Sequence, residues 1–156
     1  MSKAISNKNV ADAKFAPAPF DGPFKAALGR PELKGSWLIF GKSGSGKTTF
    51  ALQLAKYLTR FVDKVAFDSL EQGLSLSMQK AWKRVDMAAA GSKVIFLDKE
   101  SLPELRDRLS KRKSPNVIII DSVICLVGMR LADYQKLMND YPNKLFIFLA
   151  HEDDRG

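Results

Sequence analysis

Ser36-Trp37-Leu38-Ile39-Phe40, then Gly41-Lys42-Ser43-Gly44-Ser45-Gly46-Lys47-Thr48-Thr49, then Phe50-Ala51-Leu52-Gln53-Leu54-Ala55-Lys56-Tyr57-Leu58 is an apolar run, a glycine-rich turn and a helical stripe in direct succession. Gly41, Gly46, Lys47 and Thr48 satisfy G-x-x-x-x-G-K-[ST], the P-loop pattern, in the strand-before, helix-after context that it requires. Gly41, Gly44 and Gly46 let the backbone curl and approach phosphate oxygens without a Cβ in the way. The N–H groups of the turn, including those of Lys42, Ser43 and Ser45, form with the helix N-terminus a positive cradle for a polyphosphate. Lys47 is expected to reach the outer phosphates, the Thr48 hydroxyl to ligate Mg²⁺, and Thr49 to bond the innermost phosphate. A Gly/Ser linker matching by chance would lack the stripe of Ala51, Leu54, Ala55 and Leu58 at i, i+3, i+4 and i+7.

Outward from this stretch, the chain has 156 residues, 46% hydrophobic and 27% charged, which suits one soluble domain able to bury about two thirds of its unfolded surface. No apolar run approaches the ~20 residues that a bilayer span needs, and the polar start Met1-Ser2-Lys3 is no signal peptide. A lone cysteine, Cys125, excludes a disulfide framework, so a cytosolic protein is expected. The 25 Lys and Arg against 17 Asp and Glu leave a net charge of +8, which favours polyanionic partners but also describes a merely basic surface.

Residues 1–33 carry Pro17, Pro19, Pro23 and Pro31 without sustained periodicity and read as an extended arm. From 34 to 156 apolar runs alternate with amphipathic stretches. Candidate strands are Trp37–Phe40, Lys64–Phe67, Val94–Leu97, Val117–Ile120 and Leu145–Leu149, most of them nearly continuous in apolar residues, as in a parallel sheet covered on both faces. Leu74, Met78, Ala81, Trp82 and Val85 fall on one helical face. Ser101-Leu102-Pro103-Glu104 is a capping box that opens a helix through Leu105 and Leu109. Leu131, Tyr134, Met138 and Tyr141 mark a last helix stopped at Pro142. The order predicts an α/β fold, a three-layer doubly wound and mostly parallel sheet, with ligands at the carboxyl ends of the strands.

Three acidic or polar positions fall at those ends. Val117-Ile118-Ile119-Ile120-Asp121-Ser122 is an apolar strand ending in a carboxylate, the Walker B pattern, and Asp121 is a candidate Mg²⁺ ligand. The strand before Asp68-Ser69-Leu70-Glu71-Gln72-Gly73 offers Glu71, or Asp68, to orient and deprotonate a water, although Glu71 also reads as a helix-capping acid. His151, the only histidine, ends Leu145-Phe146-Ile147-Phe148-Leu149-Ala150, as a γ-phosphate contact or as a simple polar cap.

Asp68-Ser69-Leu70-Glu71 resembles the strand-Ser-Leu-Glu element of DnaB-type helicases and the Ser-x-Glu-Glu element of RadA and KaiC, and with the P-loop and Asp121 it marks a resemblance to RecA-like P-loop NTPases of the RecA/RadA/DnaB branch. A histidine at position 151 is similar to small phage RecA-core proteins of recombination and single-strand annealing. The resemblance covers residues 34–156 and implies a RecA-like core binding ATP and Mg²⁺, Glu71 as catalytic base, Lys47 and His151 at the phosphates, and completion of the site by a neighbouring copy in a homo-oligomer. Two F-x-x-A segments, Phe15–Ala18 and Phe24–Ala27, resemble the docking segment of RadA-type recombinases but also suit a packed arm. Asp121-Ser122-Val123-Ile124 is not the D-x-x-G of a GTPase.

The expected function is hydrolysis of ATP coupled to single-stranded DNA, with contacts from loop 122–130, including Arg130, or from Lys111-Arg112-Lys113, although that triplet also suits a solvated face. Two other classes fit the same core: a regulatory or assembly ATPase with a protein partner, KaiC-like in chemistry, and a phosphotransferase on a small molecule. Glu152-Asp153-Asp154-Arg155-Gly156 reads as the start of a loop, so a truncated core is expected, with Arg155 as a possible trans-acting group.

Overall fold

In the computed structural model, which describes residues 2–122 and 130–152, five parallel strands form one sheet in the order β1-β5-β4-β2-β3. They are β1 (Gly35–Gly41), β2 (Val65–Ser69), β3 (Val94–Asp98), β4 (Val117–Asp121) and β5 (Leu145–His151). Cys125, most of loop 122–130 and Arg155 lie outside the described residues. Residues Met1–Glu32 form one compact unit and Leu33–Gly156 a second. The first, where an extended arm is expected, carries α1 (Asn7–Asp12), capped by the Ser6 hydroxyl accepting from Asn9 N at 3.2 Å, and α2 (Gly22–Leu28), with Pro23 in its first turn. Of the two F-x-x-A segments, Phe24–Ala27 falls within α2 and Phe15–Ala18 between the helices, with Phe15 exposed.

In the second unit each crossover carries a helix, as the alternation of periodicities predicts: α3 (Lys47–Leu58), α4 (Leu76–Arg84), α5 (Leu102–Ser110) and α6 (Leu131–Asp140). A 3₁₀ segment, Met87–Lys93, links α4 to β3. Two faces of the sheet are covered, giving three layers. Leu105, Leu109 and Leu137 of α5 and α6 pack on Ala66, Ile118, Ile120, Phe146 and Phe148. The other face carries Val65, Phe67, Val117, Ile119, Leu145 and Ile147, all fully buried, with Trp82 of α4 edge-on to Phe67 and Phe96. Alternate residues point to opposite faces, so β2 and β4, buried at every position, are apolar up to the polar residues at their carboxyl ends, Asp68-Ser69 and Asp121.

Two expectations are corrected. The apolar run of β1 does not mean burial on both faces: Leu38 and Phe40 are 61% and 67% exposed, because β1 is an edge strand and only the Trp37–Ile39 side is partly covered. Leu74 does not lie on the buried helical face, since α4 starts at Leu76 behind the Ser75 cap and Leu74 stands exposed before it.

Candidate functional site

Parallel register brings the candidate residues to one edge. Gly41 pairs with His151, Asp121 with Leu149, and Ser69 with Asp121, so the ends of β1, β5, β4 and β2 lie side by side. Between β1 and α3 the P-loop turns through Gly44 and Gly46, both at positive φ (76° and 87°). Gly46 caps α3 without a side-chain acceptor, which leaves the first N–H groups of the helix facing the cleft. The Lys47 ammonium folds over the loop, donating to Gly41 O at 2.7 Å, Lys42 O at 2.6 Å and Ser45 Oγ at 3.4 Å.

The hydroxyl of Thr48 donates to Asp121 Oδ2 at 2.8 Å, joining the helix start to the end of β4. Burial pushes the Asp121 carboxyl above the usual carboxylate range, against the pull of the Thr48 hydrogen bond. Hydroxyl and carboxylate oxygens are hard donors of the kind Mg²⁺ takes, and two of them leave the other positions to phosphate oxygens and water. Among the described residues no three His, Cys, Asp or Glu side chains gather as a metal site.

The turn after β2 is pinned to β4: Leu70 N and Glu71 N both donate to Asp121 O, at 2.7 and 3.0 Å, and Gly73 N donates to Ser69 O at 3.1 Å. Gly73 has φ +59°, and a Cβ there would meet Asp98 Oδ1 at 2.6 Å. That Asp98 oxygen accepts from Leu74 N at 2.9 Å, closing the turn. Glu71 is thereby aimed across the cleft, where its Oε2 lies 2.7 Å from His151 Nε2. The cleft, about 280 Å³, is lined by Ser43, Gly44, Gly46, Lys47, Thr48, Thr49, Glu71, Gln72 and His151.

Asp68 is separated from this cleft. Its Oδ1 accepts from Glu100 N at 3.0 Å at the start of α5, on the opposite face of the sheet, and Oδ2 has no partner. Burial pushes its carboxyl up to about 7. Gln72 was missed by the sequence reading, although its place next to Glu71 in the same turn was the available signal. Arg130 caps α6 from the position before it, its backbone N–H donating to Asp133 Oδ2 at 2.8 Å.

A model of the ATPase family associated with various cellular activities (AAA) matches residues 37–155. The chain is similar to the DNA repair and recombination protein RadB of Methanosphaera stadtmanae, with 31% identity over 102 residues, 61% of this chain and 44% of that protein. It therefore spans less than half the length of that relative. It is also similar in structure to the flagellar accessory protein FlaH of Methanocaldococcus jannaschii, at a TM-score of 0.66 and 16% identity over 87% of this chain and 71% of that one, a likeness of fold.

Proposed function

The chain belongs to the ATPase family associated with various cellular activities, and from that membership we propose that it is a Mg²⁺-dependent, RecA-like ATPase acting in the cytosol on single-stranded DNA, in recombination or annealing of a phage or mobile element. The observation that carries the reading is the convergence of Lys47 and Thr48 at the start of α3, Glu71 in the turn after β2, and Asp121 and His151 at the ends of β4 and β5 on one cleft or its wall. The DNA part draws its support from the similarity to a DNA repair and recombination protein and from the net charge of +8.

In this reading the Gly41–Thr49 loop holds the triphosphate, and Thr48 and Asp121 hold the metal. Mg²⁺–ATP, when bound, supplies the electrophilic phosphorus and a cation that offsets charge on the phosphates. Lys47 exchanges its contacts with loop carbonyls for phosphate oxygens. Glu71, its backbone fixed to Asp121 O, orients a water and takes its proton. His151 holds the Glu71 carboxylate from across the cleft and presents its ring toward the outermost phosphate. A neighbouring copy completes the site in a homo-oligomer.

The deciding experiment is ATP hydrolysis with Mg²⁺, with and without single-stranded DNA, for the wild type and Glu71→Gln. The expected result is a DNA-stimulated rate that falls by about 10²–10⁴ in the variant while nucleotide binding persists. A rate unchanged in Glu71→Gln would refute the assignment of the base. Hydrolysis indifferent to DNA would refute the DNA part and favour a protein-directed ATPase.

A further inference from the structure

All five strands begin at one level. Gly35 pairs with Leu145, Leu145 with Val117, Val117 with Val65, and Val65 with Val94. The residues just before them, in spatial order from β1 to β3, are Lys34, Lys144, Asn116, Lys64 and Lys93. Four of these five are lysines, and the position without one is served by Lys111-Arg112-Lys113 in the loop leading into β4. With neighbouring strands ~4.8 Å apart, the row is ~19 Å long, and it lies at the end of the sheet opposite the cleft.

Lys64, Lys93 and Lys144 are held in place by uncharged oxygens rather than by carboxylates. Lys64 Nζ donates to Lys113 O at 3.1 Å, Lys144 Nζ to Ser114 Oγ at 2.8 Å and Pro115 O at 2.6 Å, and Lys93 Nζ to Thr59 O at 3.3 Å. A carbonyl fixes an ammonium but leaves its charge. Lys64, Lys93, Arg112, Lys113 and Lys144 take no part in the ion pairs seen at Lys56, Arg106, Arg108, Lys111, Lys136 and His151. Asp63, exposed and next to Lys64 in the chain, is an adjoining carboxylate. Next to Lys93, the Arg60 guanidinium lies 5.0 Å over the Tyr57 ring and 5.5 Å from that of Phe61, an arrangement of planar groups that suits stacking with a base.

We propose that this amino edge of the sheet binds the phosphate backbone of a single nucleic-acid strand, at a surface separate from the nucleotide cleft. A line of fixed charges one residue deep matches a linear polyanion. A membrane surface would call for a plane of charge with apolar side chains to insert. The inference rests on the functional reading for its class of partner, and it adds a site that works without ATP.

The test is binding of a labelled single-stranded oligonucleotide, without nucleotide, as salt rises from about 50 to 200 mM. The row variant is Lys93→Gln/Arg112→Gln/Lys113→Gln. The control, Lys80→Gln/Lys83→Gln/Arg84→Gln, removes the same charge from exposed positions on α4. Each phosphate contact on a single strand contributes about 0.7 to the slope of log affinity against log salt. The row variant should therefore lose about 2 in slope, with the control unchanged and both retaining the wild-type circular dichroism and Tm. A row variant with the wild-type slope, or an equal loss in the control, overturns the surface; if DNA-stimulated hydrolysis persists there, the functional reading stands alone. A wild-type chain that ignores the oligonucleotide overturns the surface, and the functional reading is then decided by DNA-stimulated hydrolysis with ATP. Row-dependent capture by phosphatidylserine vesicles without oligonucleotide binding would reassign the row to membranes and overturn it as stated.

Discussion

Asp68, near the end of β2, and Glu71, in the turn that follows, stand three positions apart, yet only Glu71 enters the cleft. The reason is parity. Ser69 shares its register with Asp121, on the α3 side, so Asp68 one residue earlier points to the α5 side. That much was legible in the sequence once β2 was placed. The carboxylate's hydrogen bond to Glu100 N, 32 positions away, was not, because it depends on how α5 docks. The consequence is measurable. Burial raises the Asp68 carboxyl from 3.8 to about 7. Between those values the folded chain binds a proton that the unfolded chain does not, so the stability from this site is full in acid and declines as pH rises toward 7. Asp68→Asn mimics the neutral form. Its advantage over wild type in the urea midpoint should be smallest near the ordinary aspartate pKa, widen as pH rises from 5 to 7, and exceed ~1 kcal/mol at pH 8. A wild type gaining more than the variant between pH 5 and 8 would contradict this. At His151 the expectation is kinetic. His151→Ala removes the group 2.7 Å from Glu71 Oε2, so kcat should fall by up to ~10² with little change in nucleotide affinity, the pattern of a base left unheld.

Among the elements, those with local signatures were read with their boundaries nearly right. The capping box at the start of α5 is present in both directions: Ser101 N donates to Glu104 Oε2 at 2.7 Å, and Glu104 N to Ser101 Oγ at 3.4 Å. These bonds hold the Glu104 carboxyl below its usual range. The box therefore adds stability above the ordinary glutamate pKa and loses it as pH falls through the lowered one. Ser101→Ala should cost about 1 kcal/mol, a drop in Tm of roughly 2–4 °C for a chain of this size. The apolar runs were less informative, because composition does not reveal whether a strand is central or at an edge. Ile119 in β4 is fully buried and Leu38 in β1 is 61% exposed, although both sit in runs of the same character. Ile119→Ala should cost about 2–5 kcal/mol, and Leu38→Ser no more than about 0.5 kcal/mol. Comparable losses in urea titrations of the two would mean that the exposed face of β1 is covered in solution.

At the scale of the whole molecule, the five-strand alternation and the P-loop sufficed to place the site at the carboxyl edge, because parallel strands joined by helical crossovers leave few arrangements. The row of lysines at the other edge was not legible: the lysines are 29 or more positions apart in the chain and become neighbours only through register. The two edges should also differ in what they do to stability. A cleft that binds nucleotide only when folded must stabilise the fold by mass action, by about 2.7 kcal/mol at a ligand concentration 100 times its Kd. For a chain of this length that is a Tm rise of roughly 5–10 °C. The rise should need Mg²⁺, since Thr48 and Asp121 are joined to each other and offer the triphosphate no positive charge without it. Lys47→Ala should abolish the rise, whereas the Lys93/Arg112/Lys113 row variant should keep it in full, because those side chains lie at the far end of the strands. Calorimetric scans with ATP, with and without Mg²⁺, check this directly. A row variant that lost the nucleotide shift would show that the two edges are coupled through the sheet, and a Lys47→Ala chain that kept it would move the nucleotide away from the P-loop.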